Sequence, residues 1–156
     1  MNMNKDIVMQ IKTVSGITIA GLTARTDNES EFGPNGKIPG LWQTFDNSIP
    51  VDYEGGERVY GVYFDYESDH TGSFSVLAGT DSVKAADNRD LTKVEIPPGK
   101  YLVFKVKGYM PQIAVEAWTQ VWEYFSSSTP EYKRRYSTDF EYYPNANAID
   151  VHIAIE

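Results

Sequence analysis

A chain of 156 residues has the size of one domain and can bury a core without covalent staples. It has no cysteine, which removes disulfides, zinc–thiolate sites and a thiol nucleophile. The formal charge of −8 opposes a phosphate backbone, and no apolar run has the length of a membrane span or the shape of a signal sequence. A single cytoplasmic domain, 1–156, is therefore expected, with neither nucleic acid nor membrane as a direct partner. Eleven Tyr, seven Phe and three Trp make up 13% of the chain. Such rings serve β-rich packing, or a partly wet cleft in which Tyr and Trp use their polar tips.

Residues 6–14 (DIVMQIKTV) alternate, with Ile7, Met9 and Ile11 on one face of a predicted strand. Gly16 breaks the pattern, and residues 17–26 (ITIAGLTART) resume it, with a bulge expected at Gly21. Residues 27–30 read as a polar loop. Leu41, Trp42 and Phe45 recur at helical spacing behind Pro39, which predicts a short helix over 40–47. Residues 58–67 (RVYGVYFDYE) form a strand with Tyr60, Val62, Phe64 and Tyr66 on one face and Val59, Gly61, Tyr63 and Asp65 on the other. A turn at 70–72 and a strand at 73–79 complete a hairpin, and 80–93 is a polar connection, a loop or a short turn of helix. Residues 94–99 (VEIPPG) lead into a strand at 100–107, with Leu102, Phe104 and Val106 opposite Tyr101 and Val103. Residues 111–126 form the strongest helix. Pro111 sits at its start, and Ile113, Ala114, Ala117, Trp118, Val121, Trp122 and Phe125 make one broad apolar face. Strands at 139–143 (DFEYY) and 148–155 (AIDVHIAI) close the chain. The order strand, helix, strand, strand thus occurs twice. The expected fold is α+β, a duplicated β-α-β-β arrangement with pseudo-repeats at about 5–80 and 94–156, an antiparallel sheet covered on one side by two helices, and a cleft between the halves.

One carboxylate stands out. In DFEYY, alternation places Glu141 with Tyr143 on one face and Phe140 with Tyr142 on the other, so the acid has rings on both sides. A carboxylate among ring faces suits an organic cation, through charge pairing and cation–π attraction of about 0.5–2 kcal/mol for each ring. A solvated glutamate on an edge strand would show the same pattern. Trp118 and Trp122 lie one helical turn apart, Trp42 and Phe45 share the first helix, and Tyr60 belongs to an aromatic stripe. Each of these can equally be core.

Other chemistry is weakly represented. His70 and His152 fit no metal spacing or catalytic triad, no glycine-rich loop precedes a helix in the manner of a phosphate site, and no cofactor is expected. Lys133-Arg134-Arg135 reads as a solvated basic face. The pattern favours binding over catalysis.

In order along nearly the whole chain, the phrases VSGITIAGLTART, GLWQTF, YGVYFDYE, LAGTDSV, VEIPPGKYLVFKVKG, AVEAWTQVWEYF, FEYYP and AIDVHIAI resemble the effector-binding domain of bacterial drug-sensing transcription regulators. That domain, AraC-type in its regulators, also occurs alone as gyrase-inhibitor-like proteins and as mobile-cassette members that bind cationic drugs. The resemblance implies an SHS2-like half-barrel with a ligand cleft between its halves. It implies that Glu141 meets lipophilic cations and that Tyr143 and Trp118 flank it. Trp122, Tyr60, Trp42, Phe45, Tyr101 and Phe104 are the further candidates for the lining. Since no helix-turn-helix precedes or follows the matched segments, a free-standing binder is expected, acting on transcription through a separate regulator. Two alternatives accompany this reading. One is a hydrolase of electrophilic small molecules, with Glu141 as base and Tyr143 or Tyr101 as its acid. The other is a protein-interaction module for a topoisomerase, with self-association through exposed edge strands.

Overall fold

The computed structural model describes residues 8–127 and 129–156. Eight strands form one sheet: β1 (Val8–Val14), β2 (Ile17–Asp27), β3 (Val59–Phe64), β4 (Ser73–Thr80), β5 (Thr92–Ile96), β6 (Gly99–Lys107), β7 (Asp139–Asn145) and β8 (Ala148–Ala154). Two longer helices, α2 (Ile38–Ser48) and α4 (Gln112–Ser126), are joined by two short ones, α1 (Asn28–Phe32) and α3 (Val83–Ala86). The strand order is β1-β6-β8-β7-β3-β4-β2-β5, and every pairing is antiparallel.

The topology forces the sheet to curl. Ser15 and Gly16 alone connect β1 to β2, yet these strands stand first and seventh in the sheet. Laid flat, six steps of ~4.8 Å would separate them by roughly 29 Å, whereas three Cα–Cα links span at most about 11 Å. The same conflict holds for β5 and β6, joined by Pro97 and Pro98 but placed eighth and second. The edges must therefore approach one another. They do so around a core in which Val14 from one edge and Ile96 from the other pack with Val62, Leu77 and Phe140. The result is the half-barrel.

The bend is tight where β2 faces β4. Gly21 pairs with Gly79, and a Cβ on Gly21 would lie 2.0 Å from the Ala78 carbonyl oxygen. The register runs through Gly21 without a shift, so the expected bulge is replaced by a close approach of two backbones.

The outer face of the sheet carries both longer helices: α2 packs on β2 and β4, and α4 on β6 and β8. Ile113, Ala117 and Val121 of α4 are buried against Leu102, Phe104, Ile149 and Ile153. Phe45 of α2 is buried with Ile49, Val59 and Ala78. This central arrangement matches the sequence-based pattern, with local differences. Residues predicted as polar loop at 27–30 start α1, which Asp27 caps by accepting a 2.7 Å hydrogen bond from the Ser30 N–H. The separate strand β5 runs from the end of the polar connection into the segment read as a lead-in at 94–99, and it pairs with β2. Met9 and Ile11 are exposed because β1 lies at the sheet edge, beyond the cover of α4, while Ile7 lies outside the described residues. Among the described residues no helix is long and apolar enough to cross a membrane.

Candidate functional site

A cavity of about 520 Å³ lies between α2 and α4, over the seam where β3 pairs with β7. The register of that seam sets its floor: Gly61 stands opposite Glu141, and Val59 opposite Tyr143. Glu141 is 3% exposed. Its Oε2 accepts from Trp118 Nε1 at 2.6 Å and from the Tyr63 hydroxyl at 3.0 Å, and its Oε1 accepts from the Tyr143 hydroxyl at 2.8 Å. All three donors are neutral. The ion pairs among the described residues are Arg134–Asp139 and Lys133–Glu156, so the Glu141 charge has no basic partner there. Burial raises its pKa above the usual glutamate value, and the hydrogen bonds from Trp118, Tyr143 and Tyr63 pull against that rise. The Tyr63 and Tyr143 phenols are pushed well up by burial and by the Glu141 charge, so both remain protonated donors.

The missing side chain at position 61 is part of this geometry. A Cβ there would lie 2.3 Å from Glu141 Oε1 and 3.1 Å from Trp42 Cζ2. Glycine lets the carboxylate rest against β3 with the indole beside it.

Helix geometry supplies the walls. In α4, the stripe Ile113, Ala117, Val121 enters the core, and the adjacent stripe Ala114, Trp118, Trp122 is turned toward the cavity. Trp118 stands 4.9 Å from the Tyr63 ring and 6.3 Å from Trp122. On the α2 side, Trp42 meets the Tyr143 ring edge-on at 5.7 Å. Phe32, at the end of α1, meets Trp122 edge-on at 5.4 Å. Arg134 also borders the cavity. It is buried, pairs with the fully buried Asp139 at 3.0 Å, and lies over the Tyr136 ring at 4.5 Å. The reading of 133–135 as a solvated basic face is thus overturned at Arg134, because the chain folds that guanidinium onto Asp139.

Of the nine candidate residues, Glu141, Tyr143, Trp118, Trp122 and Trp42 come together in this lining. Four do not, and each for a packing reason. Tyr60 lies on the opposite face of β3, in the core inside the half-barrel, against Phe140 and Tyr142. Tyr101 belongs to the same inner core and donates its hydroxyl to the Pro97 carbonyl at 2.7 Å, which also separates it from Glu141 as an acid partner. Phe45 is turned into the core beneath α2, and Phe104 is covered by Tyr124 and Phe125 of α4. The sequence reading missed Tyr63, Tyr66 and Phe74. Alternation had put Tyr63 on the face of Gly61, and that face, rather than the Tyr60 stripe, meets Glu141. Tyr66 joins the cavity side because Asp65 takes a left-handed conformation (φ 52°) that resets the alternation after β3. Among the described residues no group of three His, Asp or Glu side chains is placed to hold a metal.

Comparison with known proteins agrees with this architecture. The chain is 37% identical to an integron cassette protein from the mobile metagenome of Vibrio cholerae, VCH_CASS2, with a TM-score of 0.86 over 95% of each chain. It has the fold of SAV2435, a protein solved bound to tetraphenylphosphonium, at 16% identity and a TM-score of 0.71 over 96% of this chain and 94% of that one. A Bacillus subtilis (strain 168) protein, YobU, whose name assigns it to transcriptional regulation, is 24% identical over 152 residues, covering 88% of this chain and 91% of YobU. The Cass2 family model, described as integron-associated effector binding protein, matches residues 10–155. The chain, a small-molecule effector-binding module, belongs to the Cass2 family of integron-associated effector binding proteins.

Proposed function

We propose that the cavity binds a lipophilic organic cation and that Glu141 is its counter-charge, so that the protein works as a sensor or buffer of such compounds. One observation carries this reading: a carboxylate buried at the floor of an apolar cavity, held only by neutral donors and surrounded by aromatic rings. Such a group is costly to bury alone, and a cation that displaces water from the site would offset that cost. The rings of Trp118, Tyr63, Tyr143 and Trp42 would add stacking and cation–π attraction. The binding of tetraphenylphosphonium by SAV2435 supports this class of ligand. The name of YobU supports a role in transcription, which this chain would exert through a separate regulator.

The test is a titration of tryptophan fluorescence, since all three tryptophans border the cavity, with tetraphenylphosphonium as cation and triphenylphosphine oxide as a neutral analogue. Glu141→Gln keeps the shape of the side chain and removes its charge. It should weaken tetraphenylphosphonium by more than about tenfold and leave the neutral compound within about twofold, since a tenfold change corresponds to ~1.4 kcal/mol. Equal loss for both compounds would sink the charge assignment.

A further inference from the structure

A second carboxylate borders the same cavity. Glu31, on α1, lines it together with Phe32, the ring that stands edge-on to Trp122 at the rim. Like Glu141, Glu31 is held by neutral donors. Its Oε2 accepts from the Thr26 hydroxyl at 2.6 Å and from the Lys37 N–H at 2.8 Å, and its Oε1 accepts from the Ile38 N–H at 3.2 Å. The nearby Lys37 ammonium is engaged elsewhere, donating to the Arg25 carbonyl at 2.8 Å. Among the described residues Glu31 forms no ion pair. The remaining charge at the cavity wall, Arg134, is cancelled by Asp139 at 3.0 Å. The lining therefore carries two carboxylates without an ion-pair partner among the described residues, Glu141 on neutral side-chain donors and Glu31 on a hydroxyl and the N-terminus of α2, each beside aromatic rings and separated by apolar surface.

We propose that the cavity takes a dication: an elongated, apolar molecule with a positive charge at each end, one at Glu141 and the other at Glu31. This rests on the reading of Glu141 as a counter-charge and extends it to the shape and valence of the ligand. The spacing follows from α2. The Glu31 carboxylate sits on the first N–H groups of that helix, and Trp42, one turn further on, reaches the floor beside Glu141. A turn of helix plus the width of an indole separates the two acids by a distance on the order of 10 Å. A flexible linker of a few methylenes spans such a gap. At the rim, Phe32 and Trp122 offer ring faces to the second cation, as Trp118 and Tyr63 do to the first. Monocations would use the floor alone.

The experiment is calorimetric titration of the whole chain with polymethylene bis-trimethylammonium ions of graded length, each paired with the alkyltrimethylammonium ion of the same chain. In the wild-type protein the bis-cation of best length should bind about tenfold or more tightly than its single-headed counterpart, a factor that corresponds to ~1.4 kcal/mol. That advantage should fall away at shorter lengths, and the salt dependence should be steeper for the two-headed ion. Glu31→Gln should remove the advantage and leave the single-headed ion unchanged within about twofold, whereas Glu141→Gln should weaken both. The length series on wild-type protein guards against a Glu31 variant that merely loosens α1. If single-headed ions bind through Glu141 and a second charge adds nothing at any length, the dication is overturned and the Glu141 reading stands. If neither ion depends on Glu141, both fall.

Discussion

At the scale of the residue, the site is a problem in the solvation of one carboxylate. Glu141 gives up water for two phenols and an indole, and burial wins over those hydrogen bonds, so its pKa lies above the ordinary glutamate value. The sign of the pH effect follows. An acid whose folded pKa is raised contributes stability that is full below its unfolded pKa and is lost as pH rises through the folded one. Glu141→Gln should therefore make the ligand-free protein more stable than wild type at about pH 7, with the difference closing toward about pH 4. Glutamine fits the donors: its oxygen can keep Trp118 and Tyr63, and the Tyr143 hydroxyl can turn to accept from its amide. Cation affinity runs the other way. It should fall by up to about tenfold per pH unit below the raised pKa, because only the carboxylate attracts the ligand. Urea denaturation and tetraphenylphosphonium titration across this range check both statements. A variant that keeps the wild-type pH profile of binding would remove Glu141 as its cause.

At the scale of the element, each functional side chain is aimed by a period. The 2-residue period of β7 puts Glu141 and Tyr143 together, the i, i+4 spacing of α4 lines up Ala114, Trp118 and Trp122, and α2 turns Trp42 to the cavity while Phe45 enters the core. The pairing of β3 with β7 then brings Gly61 under the carboxylate. Gly61→Ala should displace Glu141 or Trp42, since its Cβ would lie 2.3 Å from the carboxylate oxygen. We expect a stability loss of about 1–3 kcal/mol and a loss of cation affinity of about tenfold or more. Gly40→Ala, at a helical position with open space around the Cβ, is the matched control and should retain binding. Wild-type affinity in Gly61→Ala would mean that the carboxylate has freedom which the close contact denies it.

At the scale of the whole molecule, the half-barrel is closed by short links and pinned by a buried ion pair. Asp139, fully buried at the start of β7, accepts from the Ala154 N–H at 2.8 Å, from Tyr66 and from Arg134. One carboxylate thus ties β8, the segment after β3 and the stretch that follows α4, and it fixes the Arg134 wall of the cavity. Asp139→Asn would leave a buried guanidinium without its counter-charge. It should cost about 3–5 kcal/mol and lower the melting temperature by roughly 10 °C. Thermal and urea unfolding read this directly, and a change within about 1 kcal/mol would show that the pair is solvated in solution.

Periodicity alone determined seven of the strands, where the two longer helices run and which side chains share a face within each unbroken element, while β5 and α1 escaped it. These are local properties, set by the pleat and the helical turn. The same alternation paired Glu141 with Tyr143 and separated them from Phe140. It left open which face of each element meets which neighbour, because burial on either face of this curled sheet asks for the same apolar and aromatic residues. Tyr60 and Tyr63 illustrate the point: adjacent stripes of one strand look alike in sequence, and only the pairing of β3 with β7 assigns Tyr63 to Glu141. Arg134 and Glu31 depended on tertiary structure entirely, since the first is buried by an acid five residues away across a left-handed turn at Tyr136, and the second is aimed by the N-terminus of α2. Chemistry that arises within one element is written in its period, and chemistry that arises between elements waits for the fold to bring them together.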